Sequence, residues 1–351
     1  MQFSLFYFSS KFESGISSPY SLLWSGAKFA DENGFAAIWT PERHFDEFGA
    51  PFPSPAITTA ALSTITNNIQ LRAGSLVLPL HNPMRVAEEW AMLDHFSKGR
   101  IGISVASGWH AQDFSLEPSN YVDRKKIMLE SLAVIKKLWG QQGYDAVSGD
   151  GTNISVQTFP PLFKQNIPIW FAASGNPQTF ELAADHNAGV LTHLLDQDID
   201  VLKLKIKSYR ERLKKNGDWK GHVTLMLHTF IGSDMEATKN LVRPHLKSYF
   251  ATAMNLEAQQ KQYAEKFDDE NITPEDIDII LEYATDRFYM ERSLIGTIDH
   301  CAQIVEKIRQ IGVDEIACFI DFGVEQNVVM KNLTNLNILK ENITASQHTV
   351  E

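Results

Sequence analysis

Eight short, strongly apolar runs recur along the 351 residues, each parted from the next by a longer stretch with helical period. They fall at 3–9, 36–42, 71–77, 101–107, 169–174, 190–194, 223–231 and 315–320. Runs that are apolar throughout suit strands buried on both faces of a parallel sheet, and their alternation with helices is the pattern of βαβ units. Eight is the number of units that closes a (β/α)8 barrel. The spacing therefore predicts one α/β barrel domain over 1–335, followed by a tail at 336–351 that ends in the frayed-looking text ENITASQHTVE.

Helix starts are punctuated by Ser54-Pro55, Asn82-Pro83, Asn176-Pro177 and Thr273-Pro274, each a capping side chain before a proline at the first helical position. In the helix opened by Asn82, the spacing puts Val86, Trp90 and Leu93, with Phe96 near them, on a face that packs on the barrel; Gly99 supplies the stop. Two excursions interrupt the alternation. The segment at 140–167, rich in Gly, Asp, Asn and Pro around SVQTF, reads as a hairpin after the fourth helix. The segment at 251–292 is charged and Gln-rich, and reads as a helical insertion in the seventh βα unit over one barrel end.

A hydrophobic share of 44%, including 21 Phe and 7 Trp, sustains a large core. The net charge of −11 argues against nucleic acid and anionic membranes as partners, because both need a basic face. The first residues, MQFSLFYFSS, lack the basic stretch and cleavage site of a signal peptide, and no apolar run reaches the ~20 residues that span a bilayer, so a cytoplasmic location is expected. Cys301 and Cys318 are read as buried packing, and no metal site is expected.

In barrels of this kind the chemistry sits at the C-terminal ends of the strands. The second strand runs into PERHF, placing Glu42, Arg43 and His44 at its mouth; His44 offers a general base, a proton donor or a hydrogen-bond partner for a cofactor, against the plainer role of a histidine bonded into its loop. Gly74 and Ser75 are small residues inside the third strand, where a flat ligand can come close or the strand can bulge. After the fourth strand, Ala106, Ser107 and Gly108 open space beside Trp109 and His110. After the fifth, Ser174 and Gly175 lead into the helix capped by Asn176, with Thr179 in its first turn; exposed N–H groups there form a phosphate cradle, or simply a well-capped helix. No dinucleotide or P-loop glycine motif is present, so the phosphate belongs to a mononucleotide.

Together the phrases TPERHF, LRAGSLVLPLHNPMRVAEEWAMLDHFSKGRIGISVASGWHAQDF, AASGNPQTF and GHVTLMLHTFIG resemble the bacterial luciferase-like flavin monooxygenases over about residues 1–322, and look closest to the mupirocin-type branch of polyketide and nonribosomal peptide assembly lines. The resemblance implies FMN, reduced by a separate reductase, reacting with oxygen to give a C4a-peroxyflavin that hydroxylates a substrate or inserts oxygen beside a carbonyl. It puts His44 on the catalytic histidine, Ser75 in a non-prolyl cis peptide beside the flavin ring, and Tyr121 with Ser174, Gly175, Asn176 and Thr179 at the phosphate. Ser107 stands where luciferases carry a phosphate-binding arginine, and Ala106 where they carry a cysteine. His193, ending the sixth strand, faces the cofactor or substrate, or is structural. The substrate implied is a small molecule or a chain tethered to a carrier protein. A homodimer is expected through the helix opened by Asn82 and the one carrying Leu129, Leu132, Ile135 and Leu138. Two other readings keep the fold: a deazaflavin-dependent oxidoreductase, and a non-catalytic flavin-binding subunit, against which the intact PERHF argues. A metal-dependent hydrolase lacks clustered His or carboxylate ligands at the strand ends.

Overall fold

A computed structural model describes residues 1–8, 18–49, 51–195, 197–262, 282, 285, 286, 288, 289 and 291–348. Its first half contains β1 (Gln2–Phe6), α1 (Ser21–Glu32), β2 (Ala37–Thr40), α2 (Pro55–Ser63), β3 (Gln70–Val77), α3 (Pro83–Phe96), β4 (Ile101–Ala106), α4 (Arg124–Trp139) and the strands β5 (Tyr144–Val147) and β6 (Asn153–Val156). The second half contains β7 (Ile169–Ala173), α5 (Pro177–Asp185), β8 (Gly189–His193), α6 (Ile199–Leu213), β9 (Val223–Ile231), α7 (Met235–Gln262), β10 (Leu294–Gly296), α8 (Ile298–Gln310), β11 (Glu315–Phe319) and α9 (Gln326–His348).

Strands β1, β2, β3, β4, β7, β8, β9 and β11 pair in that order, all parallel, and β11 returns to β1. This closed ring is the (β/α)8 barrel that the eight runs predict, and every run overlaps its strand. The 140–167 excursion carries the antiparallel hairpin of β5 and β6. Unforeseen is β10, which pairs only with the last three residues of β9. No helix among the described residues is long and apolar enough to cross a membrane.

Three of the expected caps form: Ser54 Oγ accepts from Ile57 N, Asn82 Oδ1 from Met84 N and Asn176 Oδ1 from Gln178 N. The Thr273-Pro274 start and most of the 251–292 excursion lie outside the described residues. Three expectations need correcting. Phe96 is exposed, because successive stripe residues Val86, Trp90 and Leu93 lead to buried Ser97, and Phe96 sits 100° off that line. Residues 336–348 are not a tail but the end of α9, with Leu333, Leu336 and Leu339 buried. The apolar residues of α4 are used inward: Leu132, Ile135 and Leu138 are buried and Leu129 packs partly on the core. Cys301 and Cys318 are buried as expected, and burial pushes both thiols up to about 12.

The barrel interior holds a charge. The Arg72 guanidinium donates to Glu315 Oε2 at 2.7 Å and packs on two indoles that meet edge to face, 4.9 Å from Trp39 and 4.5 Å from Trp170. Ser4 Oγ and Trp39 Nε1 donate to the other oxygen of Glu315, at 2.5 and 2.9 Å. Burial alone raises the carboxyl's pKa, but Arg72, His222 and Ser4 outweigh it and hold Glu315 below the ordinary carboxylate value. Glycines make the room: a Cβ on Gly102 meets the Trp170 ring at 2.9 Å, and one on Gly189 collides with the same ring. Replacing one partner leaves the other charged and buried, so Arg72→Met is expected to cost about 3–5 kcal/mol in urea unfolding, and the double variant Arg72→Met, Glu315→Leu less than that.

Candidate active site

The loop after β2 is built around an arginine. Arg43 is buried and donates to both oxygens of Asp113, at 2.9 and 3.1 Å, to Asp46 at 3.2 Å and to the Phe48 carbonyl, while Trp109 covers it at 5.3 Å. Asp113 and Trp109 belong to the segment following β4, so the clamp ties two strand mouths together. It fixes the backbone on either side of Arg43, which carries Glu42 and His44.

Glu42 is fully buried. Its Oε2 accepts Val77 N at 2.6 Å, and its Oε1 accepts both His44 Nε2 at 3.1 Å and His81 Nε2 at 2.5 Å. Burial pushes the Glu42 carboxyl up, but its bonds to His44 and His81 outweigh this and hold it below the ordinary value. Burial pulls His81 down, and the bond to Glu42 more than offsets it, so the imidazole is raised. An ionised carboxylate only accepts, so both rings donate through Nε2, and His44 is left with Nδ1 as its open nitrogen.

On the neighbouring strands, the Gly74–Ser75 peptide is cis, as the resemblance implies, and Ser75 Oγ lies 3.1 Å from Ser104 Oγ. Ala106 and Ser107 at the end of β4 are half-buried. The Tyr121 ring packs with Ala106, Val77, Leu80 and Phe114. Beside it stands Arg124, whose guanidinium stacks on Tyr121 at 4.5 Å and donates to the Gly108 and Tyr121 carbonyls at 3.1 and 2.7 Å. No described carboxylate pairs with this cation. Past β7, Ser174 and Asn176 are exposed and Gly175 and Thr179 half-buried at the start of α5. From α6, buried Lys205 donates to the Gly175 carbonyl at 2.6 Å and to Gln197 Oε1 at 2.7 Å, and Gln197 Nε2 donates to the carbonyls of Ser174 and His193. The cradle is thus fixed from behind. His193 is half-buried at the end of β8, its Nδ1 accepting Leu195 N at 3.3 Å.

All the site residues singled out in the sequence therefore lie at one barrel mouth, on an arc from β2 to β8. His44 and the Ser174–Thr179 cradle stand three strands apart on that arc. The sequence reading left out His81, although LHNP places it directly before the Asn82 cap, and Arg124, although it follows Tyr121 by one helical turn. It also left out His228, a buried imidazole in β9 whose Nε2 has no hydrogen-bond partner among the described residues and which Tyr249, Phe288, Phe319 and Phe322 surround. Burial, then the nearby His193, pushes His228 down to about 3, so it is neutral.

The bracket of Glu42 and His81 gives a pH dependence whose sign is fixed. Glu42 is lowered on folding, so its contribution is present above its ordinary 4.5 and is lost as pH falls through the folded value. His81 is raised, so its contribution is present below its ordinary 6.5 and is lost as pH rises through the folded value. The stability gap between the wild type and Glu42→Gln, read by urea unfolding, is therefore expected to be widest between pH 4.5 and 6.5. It should reach about 2 kcal/mol there and shrink on both sides.

Comparison with known proteins agrees with this geometry. The family model described as Luciferase-like monooxygenase matches residues 1–315. The oxygenase component of the flavin-dependent trigonelline monooxygenase of Acinetobacter baylyi is 25% identical over 306 residues, covering 84% of this chain and 82% of its own. An alkanal monooxygenase alpha chain of Photorhabdus laumondii is 23% identical over 310 residues, 83% of each. Among solved structures, the oxygenating constituent of 3,6-diketocamphane monooxygenase from Pseudomonas putida, in complex with FMN, superposes with a TM-score of 0.76 at 17% identity over 96% of both chains. Monooxygenase RslO1 from Streptomyces bottropensis gives 0.75 at 18% identity over 96% of this chain and 98% of its own. An F420-dependent secondary alcohol dehydrogenase shares the fold at 0.65 and 15% identity, over 93% and 97%. The chain belongs to the luciferase-like monooxygenase family, and it is a flavin-dependent monooxygenase.

Proposed function

We propose that this chain is the oxygenase of a two-component system, using FMN reduced by a separate reductase and molecular oxygen to oxidise a small organic substrate, free or tethered to a carrier protein. The observation that carries this reading is the pairing, at one barrel mouth, of a histidine held on a buried carboxylate with an anion cradle beside an arginine that no described carboxylate neutralises. The first suits proton transfer and the second a phosphate. The likeness to the mupirocin-type branch supports a role in secondary metabolism, which we place in the cytoplasm.

The residues fit FMN. The Gly175 and Asn176 N–H groups donate to no other described residue, and the positive end of α5 stands behind them. Arg124, with Tyr121 alongside, would supply the charge that the resemblance places at Ser107: its Nη2 bonds no described residue, and its Nε is anchored on Gly108, next to Ser107. Bound FMN would supply oxygen activation. Ser75, on the cis peptide of β3, would lie along the ring, His193 would border the ring or the substrate, and His44 would exchange a proton through Nδ1. The Trp109 indole, 44% exposed, walls the mouth on the β4 side.

A homodimer is proposed through α3 rather than α4. Met92 and Phe96 remain exposed there, with exposed Phe163 packed edge-on against His95. Phe96→Glu is expected to halve the mass found by light scattering, and a mass equal to that of wild type would argue against this face.

The cofactor reading is tested by anaerobic titration of the purified chain with reduced FMN and with reduced riboflavin. Arg124→Gln should weaken FMN at least about tenfold and leave riboflavin unchanged, the loss of one charge-assisted bond to phosphate. On rapid mixing with oxygen, the wild type should show an absorbance transient distinct from reduced and oxidised FMN. His44→Ala should bind FMN normally while product formation falls about 100-fold or more. If reduced FMN does not bind, or reoxidises as it does free in solution while a deazaflavin binds, the FMN reading fails.

A further inference from the structure

We propose that His81 is a positioning residue for His44, acting through the Glu42 carboxylate that the two imidazoles share, so that the proton on His81 governs how strongly the Glu42 charge acts on His44. The inference rests on the reading of His44 as the acid–base group.

The geometry is specific. Both Nε2 atoms bond the same oxygen, Oε1, at 3.1 Å from His44 and 2.5 Å from His81, and Val77 N occupies the other. The Glu42 side chain is 0% exposed, that of His44 11% and that of His81 31%. Of the three, His81 is therefore the one that exchanges protons readily with solvent, Glu42 is sealed, and His44 lies between the seal and the barrel mouth. Other charges do not take over this role. Glu89 of α3 acts on His81 from its solvent side. Arg43, beside Glu42 in the chain, is committed to Asp113 and Asp46.

When His81 carries its proton, the bracket is a cation and an anion side by side, and its net field at His44 is small. When that proton leaves, the same carboxylate is left uncompensated and favours the cationic form of His44. The tautomer is governed by the same oxygen: while Glu42 is ionised, His44 must donate through Nε2 and present Nδ1. His81 thus biases the charge on His44 without touching the reacting atoms.

The test uses the full chain without flavin, labelled with 15N in its histidines, with His44 assigned by the signals lost in His44→Asn. Wild type should show His44 as the Nε2–H tautomer, and the His44 and His81 curves should each carry the other's inflection. In His81→Gln, the His44 midpoint should rise by about one pH unit. In His81→Lys, which keeps a cation, it should stay near that of wild type. In Glu42→Gln the tautomer preference should be lost. A His44 midpoint and tautomer unchanged in a folded His81→Gln, or a midpoint that falls, overturns the proposal. If His81→Gln does not fold, two independent single-step curves in the wild type overturn it equally. These readouts need neither flavin nor turnover, so a failure to bind reduced FMN sinks the functional reading and leaves this one standing.

Discussion

A closed eight-stranded barrel must be filled from within, and here the filling includes a cation. Arg72 packs on Trp39 and Trp170, which meet edge to face, and is neutralised by Glu315 at 2.7 Å. Everything around the pair follows from accommodating it. Gly102 and Gly189 keep side chains away from Trp170, while Ser4 and the Trp39 N–H satisfy the second carboxylate oxygen. A buried ion pair contributes little net stability compared with a hydrophobic filling of the same volume, but it tolerates few alternatives, because displacing either partner strands a charge. Five strands, β1, β2, β3, β7 and β11, contribute to this one plug, so their register is coupled through it.

The opposite end carries a second buried carboxylate, and the contrast between the two explains how labour is divided in the barrel. Glu315 is held ionised chiefly by a guanidinium, which does not titrate in the range where proteins are stable. Glu42 is held by two imidazoles, which do. The Arg72–Glu315 pair at the base therefore keeps its charges across ordinary pH, while the Glu42 bracket at the mouth responds to it. A guanidinium-fixed charge below and an imidazole-held carboxylate above is the arrangement expected where strands provide a scaffold and the loops after them provide chemistry.

The strands were legible in the sequence because parallel strands covered on both faces are largely apolar, and each run stood out against helical text even where Ser4, Arg72 and Glu315, which bond one another inside the barrel, interrupt it. β10 was not, since three residues, Leu294 to Gly296, carry no period. The last turns of α9, from residue 336, read as a tail because the Asn- and Thr-rich text around them hides the continuation of the buried stripe from Leu333 through Leu336 and Leu339. The site was legible to the extent that its groups were local: the Asn176 cap, the small residues of β3 and β4, and the histidine following β2. Its partnerships were not. Glu42 and His81 are 39 residues apart, and Arg43 and Asp113 are 70 apart. Nothing in a single sequence marks which distant polar residue will share an oxygen.

On the FMN reading proposed above, the departure at Ser107 would be absorbed by the fold. Where the family pattern puts an arginine on the strand end itself, this chain has a hydroxyl, and the strand end alone would leave a dianionic phosphate with only helix N–H groups. Arg124 reaches the same strand end from the first turn of α4, bonding Gly108 and lying on Tyr121. Its charge is pre-placed, because the stacking ring and two carbonyls hold the guanidinium plane before any ligand arrives, so less side-chain freedom is lost on binding. An arginine without a carboxylate partner is costly to keep half-buried unless an anion is to be met there. No described carboxylate neutralises Arg124, in a chain with a net charge of −11, and the proposed phosphate would be its counter-ion.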